Sequence, residues 1–269
     1  MSSILTNSSA MTALSTLRNI NNSLGETQNR ISTGLQISSG KDNAAYFSIS
    51  KTMSGDSGMY KAIDESLTLQ KNALSTARLG AETLVDLPED FAERVAFAQG
   101  GTEEVRADVQ AELDELVARM STTISQSTFN GTDYVSASAT ITVVTGISRS
   151  SSGSVTTTNM TFMSQNLAAI QTALDGISIT SATTATLQET ALTDAEAELG
   201  AAIAAATALG IAEKSIETQK EFLGALTDRL DSGIGSMIDA NMEEEAARLQ
   251  ALQVQQQLAT QSLSIANAA

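Results

Sequence analysis

Apolar residues recur every seven positions near both ends of this 269-residue chain, while its Ser/Thr/Gly-rich middle has little of that period. A seven-residue repeat marks a helix with one apolar stripe, and such a stripe is stable only when packed against another. Residues 1 to about 130 and about 190 to 269 both carry the pattern. The chain is therefore expected to fold back and lay its remote ends together. That arrangement points to a self-assembling structural protein more than to an enzyme.

The first seam places Ala10, Leu17, Leu24 and Ile31 at one core position and Ala13 and Ile20 at the other. It breaks at Ser38-Ser39-Gly40, where small residues let the chain turn. A second helix carries Met53, Tyr60, Leu67, Leu74 and Ala81, joined by Ile63, Ala77 and Leu84. Pro88 is expected to interrupt or restart it, because proline lacks the N–H that a helix interior uses. After a turn at Gly100-Gly101, a third helix presents Val105, Val109, Leu113, Leu116, Met120 and Ile124 on one face and stops at Phe129-Asn130-Gly131.

The middle reads differently. Thr140 to Val144 and Val155 to Thr158 are rich in β-branched residues and flank the turn-like Ser150-Ser151-Ser152-Gly153, which predicts a short hairpin. A short helix is expected within 164–175. The box Thr193-Asp194-Ala195-Glu196 is expected to open a long helix with Leu209, Ala212, Ile216, Leu223, Leu226 and Leu230 on its seam. Beyond Ser232-Gly233-Ile234-Gly235, a last amphipathic segment carries Met242, Leu249, Leu252, Ala259 and Leu263.

Composition narrows the function. Aromatics make up only 3 % of residues and Trp is absent, so Ala, Leu and Ile supply the packing, as in helix-on-helix cores. The net charge of −16, with fifteen scattered Lys and Arg, argues against nucleic acid and anionic membrane surfaces as partners. No Cys and no His are present, which excludes disulfides and removes the commonest general base and metal ligands. No cofactor or metal is expected. The acidic run from Asp86 to Glu104 and the triplet Glu243-Glu244-Glu245 read as solvated helix faces and first-turn acids. Gly233-Ile234-Gly235 lacks the strand and third glycine of a dinucleotide site. No window of about 18 apolar residues is read, so no membrane span is expected. The first residues lack a basic and apolar leader, which leaves export without a cleaved signal as one route.

Two groups of residues carry a family likeness. Gln28-Asn29-Arg30-Ile31-Ser32-Thr33-Gly34, followed by Ser38-Ser39-Gly40-Lys41-Asp42-Asn43-Ala44-Ala45, resembles the N-terminal signature of bacterial flagellins. Ser232 to Gly235 and Asp239-Ala240-Asn241-Met242 resemble that family's C-terminal junction. Arg248 to Leu258, with Ser264-Ile265-Ala266-Asn267, is similar to its final helix, in the style of short alphaproteobacterial flagellins. The family usually continues beyond the position of Ala269 into an apolar-basic tail. Arg94 to Gln99 matches only part of the patch through which some flagellins engage an innate immune receptor.

The resemblance implies a mainly α fold: a coiled-coil-like rod built from both chain ends, with a small hairpin-containing insert in the middle. Three parts are expected: a filament-core domain from 1–41 and 232–269, a helical rod from 42–133 and 190–231, and an outward-facing variable insert at 134–189. Filament-core packing is expected of Leu17, Ile20, Leu24, Ile31, Met242, Leu249, Leu252 and Leu263. Rod packing is expected of Ile63, Leu67, Leu74, Leu113, Leu116, Ile216, Leu223 and Leu230. The implied role is a subunit of the extracellular flagellar filament for swimming motility, exported unfolded without a cleaved signal peptide. Its implied partners are copies of itself, an export chaperone, a filament cap and hook-junction proteins. The alternatives are a hook–filament junction protein and, further off, a cytoplasmic coiled-coil signalling hairpin.

Overall fold

The structure, a computed structural model, describes residues 7–150 and 153–268. Among the described residues there are six helices: α1 (Ser8–Thr33), α2 (Ala44–Ala98), α3 (Glu103–Gln126), α4 (Leu167–Asp175), α5 (Ala185–Ile238) and α6 (Met242–Ala268). Between α3 and α4, β1 (Thr140–Arg149) pairs antiparallel with β2 (Val155–Met163). The mainly helical fold with a central hairpin is the one the seams and the β-prone stretch predict.

The chain forms two compact units, residues 1–58 with 227–269 and residues 59–226. In the first, α1 and α6 lie antiparallel, as shown by hydrogen bonds from Asn7 to Ala266 and from Gln256 to Asn21. Asn7 caps α1, its Oδ1 accepting from the backbone of Ser9 and Ala10 at 3.1 and 3.0 Å. Gly34 ends the helix with φ 71°, a left-handed conformation that glycine adopts without a side-chain clash, and its N–H reaches Arg30 O at 2.8 Å.

In the second unit, α2, α3, α4 and α5 enclose one core. Leu67, Leu74, Leu84 and Phe91 come from α2, Leu113 and Met120 from α3, Leu167 and Leu174 from α4, and Leu209, Ile216 and Leu223 from α5. The Asn130-Gly131 turn has φ of 48° and 79° at its two central residues, with Phe129 and Thr132 exchanging both backbone bonds. Paired positive φ values are what Asn-Gly supplies at least cost. Tyr134 and Phe162 meet edge to face at 5.4 Å and seat the hairpin on the helical core.

Four expectations are corrected. Pro88 does not end α2, which runs through it to Ala98. Proline has no N–H to give the helix there, yet Leu84, Phe91 and Val95 remain buried on either side of it. The Thr193 box does not open α5, which starts at Ala185; Thr193 Oγ1 instead donates to Glu189 O at 2.9 Å inside the helix. The glycines at 233 and 235 do not break α5 either, and the break falls at residues 239–241. Finally, α5 contains an 18-residue window of mean hydropathy 1.4, so the expectation that no such window exists is wrong. The stretch 199–212 carries no charge, and its Ala202, Ala205, Leu209 and Ala212 are buried in the core of the second unit.

Candidate self-assembly surfaces

Positions 10, 13, 17, 20, 24, 27 and 31 of α1 are shielded, alternating in steps of three and four. On α6 the shielded positions are 245, 249, 252, 256, 259, 263 and 266, with the same alternation. That period belongs to left-handed coiled-coil pairing. Leu17, Ile20, Leu24, Ile31, Leu249, Leu252 and Leu263 all lie on these seams and are half-buried, whereas Met242 is exposed. Glu245 heads the α6 seam, its carboxylate 3.1 Å from Arg30 Nη1 and its side chain 7 % exposed. Counting four residues back from Leu249 locates Glu245, but its charge hid it from an apolar pattern.

The loops beside this pair are tied together as well. Gln36 N–H donates to Ile238 O at 2.7 Å, and Ala240 N–H to Gly34 O at 2.9 Å. Asp42 Oδ2 accepts from the backbone and hydroxyls of Ser38 and Ser39 at 3.0–3.2 Å. The backbone bond from Ser38, followed by that from Ser39, holds the Asp42 carboxyl below its ordinary range. Asn43 then caps α2 through Ala45 and Tyr46.

A second apolar stripe lies outside the seams. Met11 and Leu14 on α1, and Val254, Leu258 and Ile265 on α6, are exposed by 39 to 70 %. The steps of four and seven on α6 put its three on one face. Sequence reasoning missed them because it followed a single seam; a second heptad frame through 254, 258 and 265 would have found them. Among the described residues, these five side chains stay exposed beside the α1/α6 seam.

In the second unit, Leu67, Leu74, Leu113, Ile216 and Leu223 are buried, and Ile63 and Leu116 are half-buried. Leu230, in the first unit, is half-buried. Beside this core, α2 and α5 form an antiparallel charge ladder. Lys220 meets Asp64 at 3.0 Å, Lys71 meets Glu217 at 2.9 Å, and Arg78 Nε meets Glu213 at 2.6 Å. Residues 64, 71 and 78 are heptad-spaced, so the ladder runs parallel to the seam. Partly exposed pairs contribute on the order of 0.2–1 kcal/mol each, and their main effect is on register. Hydrogen bonds from Lys214 and Lys71 hold the Glu217 carboxyl at about 2. Among the described residues, no group of three or more Asp or Glu is placed to hold a metal.

Residues 4–140 match the bacterial flagellin N-terminal helical region, and residues 188–269 match the bacterial flagellin C-terminal helical region. The chain belongs to the bacterial flagellin family. Over 99 % of its length it is 37 % identical to a flagellin of Brucella melitensis, 96 % of which is covered. Flagellin FljM of Caulobacter vibrioides is 33 % identical over 99 % of this chain and 95 % of its own, and flagellin C of Rhizobium meliloti is 32 % identical over 99 % and 96 %. Flagellins are a structural protein family, and this one is a subunit of the extracellular flagellar filament that polymerises with copies of itself.

Proposed function

We propose that the α1/α6 pair is the filament-core element of this flagellin and that its outer stripe makes the contacts between subunits. The supporting observation is the exposure of Val254, Leu258 and Ile265 on one face of α6, turned away from the seam that pairs with α1. Leu17, Ile20, Leu24, Ile31, Leu249, Leu252 and Leu263 hold the pair together within one subunit, and Met242 belongs to the surface. In this reading the stripe of one copy meets a different face of the next, a heterologous contact, and such contacts generate a helical fibre when their rotation does not close. The buried residues Leu67, Leu74, Leu113, Ile216 and Leu223, with Ile63, Leu116 and Leu230, form the stiff rod, and the insert 134–189, packed on it through Leu167 and Leu174, lies on its outward side. The chain leaves the cell unfolded without a cleaved signal peptide, and its further partners are an export chaperone, a filament cap and hook-junction proteins.

Leu258→Asp tests this reading, because it charges the outer stripe and leaves the seam intact. The expected result is an unchanged monomer by circular dichroism and no fibres by electron microscopy. Normal fibres from a folded Leu258→Asp protein would overturn it.

A further inference from the structure

The central hairpin leaves one sheet edge open, and its bonding pattern is readable from both ends. Ser164 N–H donates to Ala139 O at one end, and Ser150 N–H to Ser154 O at the other, each at 2.9 Å. Antiparallel ladders alternate between residues that exchange both backbone bonds and residues that turn both groups outward. Counted through the observed register, both ends agree: Val155, Thr157, Asn159, Thr161 and Met163 point their N–H and C=O away from β1. The bulge between Val144 and Gly146 is absorbed by β1, so β2 stays regular.

The two edges are treated differently. Beside β1, Tyr60 OH donates to Ile147 O at 3.0 Å, and Gln219 Nε2 donates to Thr145 O at 2.8 Å. These bonds anchor β1 to α2 and α5. On β2, Met163 O accepts from Gln165, but no hydrogen bond among the described residues takes up the backbone of Thr157, Asn159 or Thr161. All five outward residues are also exposed. Edge strands are ordinarily guarded by charge, proline or a bulge, and Val155-Thr156-Thr157-Thr158-Asn159-Met160-Thr161-Phe162-Met163 has none of these.

We propose that the outer edge of β2 docks β2 of a second copy, antiparallel about a two-fold axis at Asn159. Charge selects the occupant. The chain carries −16 in total, yet Arg149 is the only charged residue from 136 to 166. Two copies therefore approach along this edge without the like-charge repulsion that the rest of the surface imposes within a Debye length of about 8 Å. The open residues are also arranged for self-pairing. With Asn159 at the axis, Thr157 of each copy faces Thr161 of the other, and the three facing pairs exchange up to about six backbone bonds. Facing threonines add cross-strand contacts. A two-fold contact closes on itself, unlike the open head-to-tail contacts of a filament. It joins copies that belong to different filaments, or copies not yet polymerised.

The chain has no cysteine, which makes Asn159→Cys a clean probe in the full-length protein. Facing Cα atoms at the axis would sit about 5.5 Å apart, within disulfide reach. Under mild oxidation, Asn159→Cys is expected to form covalent dimers roughly tenfold or more faster than Thr207→Cys on the exposed side of α5. Adding Thr157→Pro, which removes an outward N–H, is expected to bring the rate down to that of the Thr207→Cys control. Thr157→Lys with Thr161→Lys, which leaves the backbone unchanged and sets lysines opposite one another, is expected to do the same. Equal rates for the two cysteine positions, or fast dimers in both blocked variants, would overturn the proposal. Fibre formation by the reduced Asn159→Cys protein, followed in parallel, reports on filament assembly separately.

Discussion

Arg30 donates from Nη1 to Glu245 Oε1 across 3.1 Å, bridging two residues 215 positions apart in the chain. Glu245 heads the α6 seam and Arg30 flanks the α1 seam beside Ile31, at the ends nearest the loops that join these helices to α2 and α5. The pair's geometry fixes which turn of α6 faces which turn of α1. Neighbouring heptads rich in Ala, Thr and Gln discriminate poorly between registers. A polar pair on a seam commonly serves that purpose.

Arg30→Met is expected to destabilise the terminal pair by about 1–3 kcal/mol, because it leaves the Glu245 carboxylate shielded without its cation. Combining Arg30→Met with Glu245→Gln should recover part of that loss. Hydrogen exchange at the α1 and α6 amides is the measurement, and equal protection in wild type and Arg30→Met would remove the pair from any role in register.

Gly80 marks a tight crossing of α2 against the end of α3. A Cβ added there would lie 1.8 Å from Ser127 Oγ and 2.5 Å from Ser127 Cβ, and that hydroxyl is already committed to Thr123 O at 2.6 Å. Gly80→Ala should therefore cost about 1–3 kcal/mol through overpacking. Ser127→Gly in the same chain should restore most of it, as read by denaturant melting.

Leu113 is fully buried, whereas Leu116 on the same helix is half-buried. Leu113→Ala is expected to cost about 2–5 kcal/mol and Leu116→Ala clearly less, since a cavity forms only where neighbours enclose the site. Urea melts of the two variants give the order, and a larger loss for Leu116→Ala would contradict the packing.

Acid acts on the charge ladder through Glu217. Its carboxyl lies at about 2 in the folded chain, against an ordinary 4.5, because Lys214 and Lys71 both donate to it. A depressed carboxyl stabilises the fold fully above its unfolded value, and that contribution falls away between about 4.5 and 2. Wild type should thus exceed Glu217→Gln in melting temperature by a constant amount near neutral pH. The gap should shrink as pH drops through that window, and one that widened would reverse the assignment.

Much of this architecture was legible in one dimension. The heptads of α1 and α6 showed that each helix carries one apolar face, because a 3.5-residue period keeps its apolar residues on a single side. Asn130-Gly131 named its turn, because two successive positive φ values favour those residues. The hairpin was visible in its β-branched runs and serine-glycine loop. Pro88 and the Thr193 box misled, since each is a local preference of about one to three kcal/mol set against a helix face that buries Leu84, Phe91, Ala191 and Ala195.

By itself, the sequence determined that both ends are helical, that each needs a partner face, and that the middle lacks the long seams. Only the tertiary structure decided that Glu245 rather than Met242 heads the α6 seam. It also decided that Val254, Leu258 and Ile265 are left uncovered, and that β2 rather than β1 carries the open edge. The reason is physical. Periodicity reports how a residue is placed on its own helix or strand, whereas burial and backbone pairing depend on what the folded chain brings alongside it.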